Sequence, residues 1–279
     1  MITIKEYLLT KNSAKLKKLK EVTSTEELKE LVDYEIEKNG KNVDLNFIDV
    51  SKITSMKELF TGTGFCGDIS TWDVSNLMFA YKTFQFCENF NCDLSQWNLS
   101  SLENGYSMFW GCKKFDCDVS KWNIKNLEDG RCMFQTCKSF KGTGIEKWHV
   151  EKLSNTELMF GTCEVFNGNV GKWKIKKLGN ARGMFLDCKV FNQNLEKWNV
   201  ETLVNGENMF LKCSSFEGKG LDKWNPVKLR RMNNMFGNCE NLSIDIHNWE
   251  LPDLDMKNMF DTFEGCYRMN TWQKPLKYK

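Results

Sequence analysis

Met184-Phe185-Leu186-Asp187-Cys188-Lys189-Val190-Phe191 is followed by Leu195, Trp198, Val200 and Leu203, and the same arrangement starts again at Met209. Tryptophans mark the period: Trp72, Trp97, Trp122, Trp148, Trp173, Trp198, Trp224 and Trp249, each 25 or 26 residues after the last. Thirteen residues before Trp97, Trp122, Trp198 and Trp249 stand Phe84, Phe109, Phe185 and Phe236. Phe134 and Phe210 lie one residue further back, where Lys-Gly-Thr-Gly (141–144) and Gly-Lys-Gly (218–220) each add a residue. Glycine at both insertions suits a tight turn that absorbs the extra length.

A period in this range signals a solenoid, a propeller or an array. One 25-residue unit cannot enclose its own apolar residues, whereas stacked units cover one another. Equivalent residues then form columns, about 4.7–4.9 Å per step if neighbouring strands pair along the stack. Within a unit, Met184, Cys188 and Phe191 fall at i, i+4 and i+7, one face of a short helix or 3₁₀ segment. Trp198 and Val200 fall at i and i+2, one face of a strand. The unit therefore reads as a short helical segment, a corner, a short strand contributing to a parallel sheet, and another corner. Asn192, Asn194, Asn199 and Asn205 supply the side-chain hydrogen bonds that corners need.

Because the repeat runs almost to the C-terminus, the 279 residues divide into an arm and capping helix over 1–40 and a solenoid of about ten coils over 41–279. Residues 1–22 are lysine-rich, either a solvated face or a contact for an acidic partner. Thr23 to Gly40 reads as one helix: Ser24 or Thr25 as N-cap, Glu26 and Glu27 in the first turn, and a stripe of Leu28, Leu31, Val32 and Ile36. Such a helix suits the open apolar end of the first coil. That coil begins before the first tryptophan, since Leu45, Ile48, Val50, Ile53 and Met56 align with Ile69, Trp72, Val74, Leu77 and Ala80. Trp272 and the tail Gln273–Lys279 read as a degenerate closing copy and cap.

A net charge of +2 gives no general pull toward nucleic acid or an anionic membrane. No apolar run is long enough to span a bilayer. The N-terminal residues Met1–Thr10 contain an acid and no sustained apolar stretch, so they do not read as a secretory leader. Cys87, Cys112, Cys137, Cys163, Cys188, Cys213 and Cys239 share one repeat position, where a small buried side chain is wanted. A column of equivalent thiols has no natural pairing, so we expect free thiols and a reducing, intracellular compartment. Surface exposure is the alternative if a leader has been removed. Cys92 and Cys117 also share a position and are the pair most open to oxidation. With no C-x-x-C and only His149 and His247, neither a metal nor any other cofactor is expected. Those histidines lie four repeats apart without a nucleophile or carboxylate placed to use them, so the chain reads as non-enzymatic.

The pattern M-F-x-x-C-x-x-F-N-x-x-L-x-x-W-x-V resembles the repeat first collected from mycoplasma surface lipoproteins, a relative of the BspA-like leucine-rich repeats of bacterial surface antigens. Asp68-Ile-Ser-Thr-Trp-Asp-Val-Ser-Asn76 is close to the usual wording of that repeat, and Leu45 to Ile53 resembles its customary first copy. The likeness covers about residues 41–270. It implies a right-handed leucine-rich-repeat-like solenoid that acts in adhesion or protein contact.

If Trp and Val point inward, the residues flanking each Trp point outward. Lys121, Lys147, Lys172, Lys197 and Lys223 precede five successive tryptophans, and Asn98, Asn123, Lys174 and Asn199 follow Trp97, Trp122, Trp173 and Trp198. These nine are the candidate binding residues. The lysine column reads either as a docking stripe for an acidic surface or as a solvated strand face, with Glu146, Glu196 and Asp222 nearby to offset it. Nucleic acid is disfavoured, because arginines are not clustered and the aromatics sit at core spacing. The expectation is a macromolecular partner, most simply a protein, gripped by the sheet face. A spacer or assembly component, such as a virion or surface-layer part, is the other possibility.

Overall fold

The computed structural model describes residues 20–252 and 254–275. The lysine-rich arm before Lys20 and the end of the expected closing cap, 276–279, lie outside the described residues.

The first elements are β1 (Lys20–Glu21), α1 (Thr25–Asn39) and β2 (Ile48–Asp49). β1 pairs in parallel with β2, Lys20 opposite Ile48 and Glu21 opposite Asp49. The helix forms as its sequence requires. Ser24 is the N-cap and its hydroxyl accepts from the Glu27 N–H, 3.1 Å away. At the other end the Gly40 N–H donates to the Ile36 carbonyl with the glycine at φ 84°. Leu28, Leu31 and Val32 are buried and join Leu45, Ile48, Met56 and Phe60 in one core. The Thr25 hydroxyl donates to the Ser55 carbonyl at 2.7 Å, tying the helix to the first coil. α1 is thus the N-terminal lid of the stack.

From there the chain winds in coils that bond to one another through alternate peptides. The N–H groups of Ala181, Gly183, Phe185 and Asp187 donate to the carbonyls of Asn205, Glu207, Met209 and Leu211 in the next coil, at 2.8–2.9 Å. The N–H groups of Met184, Leu186 and Cys188 instead turn back to Ala181, Gly183 and Phe185 in their own coil, at 3.0–3.1 Å. The same alternation runs from Met56 to Asn238. A row of parallel bridges marks its start, Ser55–Phe79–Asn104–Asp129–Asn155–Asn180–Asn205–Arg231.

Two expectations about the unit are corrected here. Met184 to Phe191 is not a helix or 3₁₀ segment but a run of overlapping turns. Gly183 (φ 58°) and Asp187 (φ 56°) are left-handed, as are Asn208 and Lys212 (57° and 63°) one coil on. A left-handed residue in third position is the mark of a type II turn, and it rotates alternate peptides onto the stacking axis. Helical i→i+4 bonds would have consumed the N–H groups that join the coils. Nor is Trp198–Val200 a strand: among the described residues the only strands are β1 and β2. Trp198 and Val200 do point inward with Asn199 outward, but the Trp198 N–H bonds back to Leu195 and the Leu203 N–H to Val200. A three-residue segment between two turns keeps the side-chain alternation and has no room for a ladder.

Inside the stack each aromatic position forms a column. The rings of Phe84, Phe109, Phe134 and Phe160 follow one another at 5.2, 5.6 and 5.8 Å. Trp122, Trp148, Trp173 and Trp198 follow at 6.1, 5.8 and 6.3 Å. The indoles of Trp97, Trp122 and Trp173 are no more than 2 % exposed. Both glycine insertions make the turns expected of them: Gly144 and Gly220 have φ of 84° and 87° and open 3₁₀ turns over Ile145–Lys147 and Leu221–Lys223.

Candidate interaction surface

Two inner corners of each coil explain why Trp and Cys recur. At one, the Leu94 carbonyl accepts from the Trp97 N–H at 3.0 Å and from the Trp122 Nε1–H of the next coil at 2.8 Å. Trp148, Trp173, Trp198 and Trp224 repeat that bond at 2.8–3.0 Å. At the other corner, the Phe84 carbonyl accepts from the Cys87 N–H and from the Cys112 thiol of the next coil, at 2.9 and 3.1 Å. Cys137, Cys163, Cys188, Cys213 and Cys239 do the same at 2.9–3.1 Å. A carbonyl has two lone pairs, and the second is met from the neighbouring coil. All twelve cysteines are free thiols, Cys92 and Cys117 included. Burial pushes the Cys87 thiol up to about 11 and holds Cys112, Cys137 and Cys188 well above the ordinary range. The column is inert packing.

The tryptophan corners decide where the outer lysines stand. Because Trp148, Trp173 and Trp198 stack, the residues before them, Lys147, Lys172 and Lys197, lie in one exposed column. None of the three makes an ion pair with another described residue. The ends of the expected stripe are different. Lys121 donates to the Gln96 side chain at 2.9 Å, and Lys223 pairs with Asp222 at 3.0 Å. On the far side of the indoles, Lys174 and Asn123 are exposed. Asn98 and Asn199 are exposed as well, but each side-chain oxygen accepts the N–H two residues on, from Ser100 at 3.1 Å and Glu201 at 2.9 Å. Those two shape the corner. Asn194 and Asn205 do likewise with Glu196 and Glu207, whereas Asn192 reaches across to the Glu217 N–H of the next coil.

Elsewhere on the surface several lysines have acidic mates, whereas others, such as Lys114, Lys152 and Lys212, are exposed without an ion pair to another described residue. Lys113 pairs with Glu88 at 2.7 Å, Lys189 and Lys138 share Glu164 at 2.9 and 3.0 Å, and Lys141 pairs with Asp116. The face made by the overlapping turns carries a further column that the repeat pattern alone did not single out. Lys57 lies over the Tyr81 ring, Tyr81 packs on Tyr106 at 5.1 Å, and Arg131 lies over Tyr106. It continues with Arg182 bridging Glu157 and Glu207 at 3.0 and 3.6 Å. The signal was present three residues before the first Phe of each repeat, where these residues fall in phase. Next to it Phe79 and Phe86 are 43 % and 48 % exposed. No helix of the described residues is long and apolar enough to cross a membrane.

A profile of the family described as Mycoplasma protein of unknown function, DUF285, matches three overlapping stretches, residues 27–148, 118–220 and 157–274. No curated protein matches the chain. Among solved structures, a TLR13–ssRNA13 complex aligns at 10 % identity over 89 % of this chain and 51 % of that one, about half its length. Its TM-score of 0.21 is too low to carry an argument.

Proposed function

Since the chain belongs to the family described as Mycoplasma protein of unknown function, DUF285, we propose that it is a non-enzymatic interaction module of the leucine-rich-repeat, BspA-like kind, and that it grips a protein partner through the face along the tryptophan corners. Solenoids serve this use because a regular stack presents many small contacts in register. The observation that carries the reading is the distribution of mates. Several cations on the other faces, Lys113 and Lys189 among them, are held by carboxylates of a neighbouring coil, while Lys147, Lys172 and Lys197 stand exposed in one column on successive coils. Lysines held in register without an ion-pair partner keep more of their attraction for an incoming acidic surface than paired ones do, even with Glu146 and Glu196 beside them. The twelve free thiols are in keeping with a reducing, intracellular setting.

The test is capture of partners from the native cell by the full chain, read by mass spectrometry, with the triple variant Lys147→Glu, Lys172→Glu, Lys197→Glu beside it. Loss of a specific captured protein supports the reading. An unchanged captured set contradicts it and favours a spacer whose outer lysines are only solvated.

A further inference from the structure

One coil differs from all the others in charge. Between Glu164 and Asp187 there is no acidic residue, but there are five basic ones: Lys172, Lys174, Lys176, Lys177 and Arg182. Arg182 is committed on the opposite face to Glu157 and Glu207. The other four are exposed and cluster around the buried Trp173, Ile175 and Leu178. None of them makes an ion pair with another described residue. On the two adjacent coils, Lys147 and Lys197 stand in register with Lys172, so three ammonium groups share a column beside indoles that step by 5.8 and 6.3 Å. Like charges directly opposite one another destabilise a stack. Four ammonium groups without ion pairs on one coil concentrate that cost in one place, which marks it as a candidate binding site.

We propose that the lysines of this coil, with Lys147 and Lys197 beside them, form a site for an acidic polypeptide segment, rich in aspartate and glutamate, on the partner. The inference rests on the functional reading above and names the chemistry of what that face binds. Ammonium groups on flexible stems are point charges that suit scattered carboxylates, and the patch contains no arginine fork for bidentate phosphate. Its aromatic residues cannot stack on bases, because Trp148, Trp173 and Trp198 are 3 %, 0 % and 4 % exposed and line the core. Nucleic acid is therefore the disfavoured anion.

Fluorescently labelled oligoglutamate and oligothymidylate of equal charge, titrated with the full chain and read by polarisation, test the proposal. The chain should bind oligoglutamate the tighter of the two. Replacing Lys172, Lys174, Lys176 and Lys177 together by Gln should weaken that binding about tenfold or more, while the control Lys113→Gln, Lys138→Gln, Lys189→Gln changes it less than about twofold. Because like-charge repulsion is relieved, the four-lysine variant should melt no lower than the parent, which separates lost binding from lost folding. Absence of oligoglutamate binding overturns the proposal, as does equal weakening in both variants. Tighter binding of oligothymidylate overturns it too. Lost partner capture in the charge-reversed triple variant, together with no oligoglutamate binding, removes this inference and leaves the functional reading. Unchanged capture with oligoglutamate binding retained does the reverse.

Discussion

The Nε1–H of Trp122 donates at 2.8 Å to the carbonyl of Leu94, one coil earlier, where the backbone of Trp97 has already used the first lone pair. Two quantities meet in that bond. Burying an indole of about 150–250 Å² is favourable by about 4–6 kcal/mol before entropy is counted, whereas the hydrogen bond adds about 1 kcal/mol net. Burial holds the stack together, and the hydrogen bond sets which carbonyl each indole meets. Trp122→Phe keeps an aromatic body and loses the donor and part of the volume. It should destabilise by about 2–3 kcal/mol in urea denaturation. A loss below half of that would mean the corner is not closely packed.

The thiol column makes stability depend on alkali. Burial, the leading cause in each case, pushes Cys87 up to about 11 and holds Cys112, Cys137 and Cys188 well above an ordinary value of 9.0. Above the ordinary value the unfolded chain releases protons that the folded chain retains. The contribution is therefore complete below about pH 9 and is lost as pH rises through the folded values. Each such thiol adds a slope of about 1.4 kcal/mol per pH unit. Denaturation between pH 8 and 10.5 should show steeply falling stability, and Cys137→Ala should flatten it by one thiol's share. A pH-independent midpoint would contradict burial of the column.

Glycines differ sharply in what they tolerate. A Cβ on Gly144 would lie 2.4–2.5 Å from Ser120, backbone N included, with φ at 84°. Gly179 has an ordinary φ and nothing closer than 3.8 Å. Gly144→Ala should cost about 3 kcal/mol or more, from strain and a clash with backbone. Gly179→Ala should fall within about 1 kcal/mol of the parent, on the stabilising side. Thermal melts of the two variants decide the matter.

The stacking, the columns, the lid helix and the glycine turns were legible in the sequence, because burial of Trp, Phe, Met and Cys at fixed positions leaves a periodic trace. Backbone path was less legible. Met184, Cys188 and Phe191 have helical spacing, yet overlapping turns bring the same three inward. The clue lay in the residues between, where Gly183, Asp187, Asn208, Asn234 and Asn238 take left-handed conformations that Gly, Asn and Asp tolerate. In the candidate site, exposure of the lysines followed from alternation beside Trp. Which of them had mates did not, because Gln96 meeting Lys121 and Asp222 meeting Lys223 depend on rotamers and on the step between coils.

The repeated indoles form one buried spine, each bonded to the coil before it. Hydrogen exchange of the tryptophan Nε1–H groups, followed by NMR on the labelled full chain, reads out that spine bond by bond. Trp72, Trp97, Trp122, Trp148, Trp173, Trp198, Trp224 and Trp249 all donate to a carbonyl of the preceding coil. Their eight indole resonances should exchange slowly and nearly together, while that of the half-buried Trp110 exchanges much faster. Eight indoles exchanging as fast as Trp110, or at rates scattered coil by coil, would contradict the account.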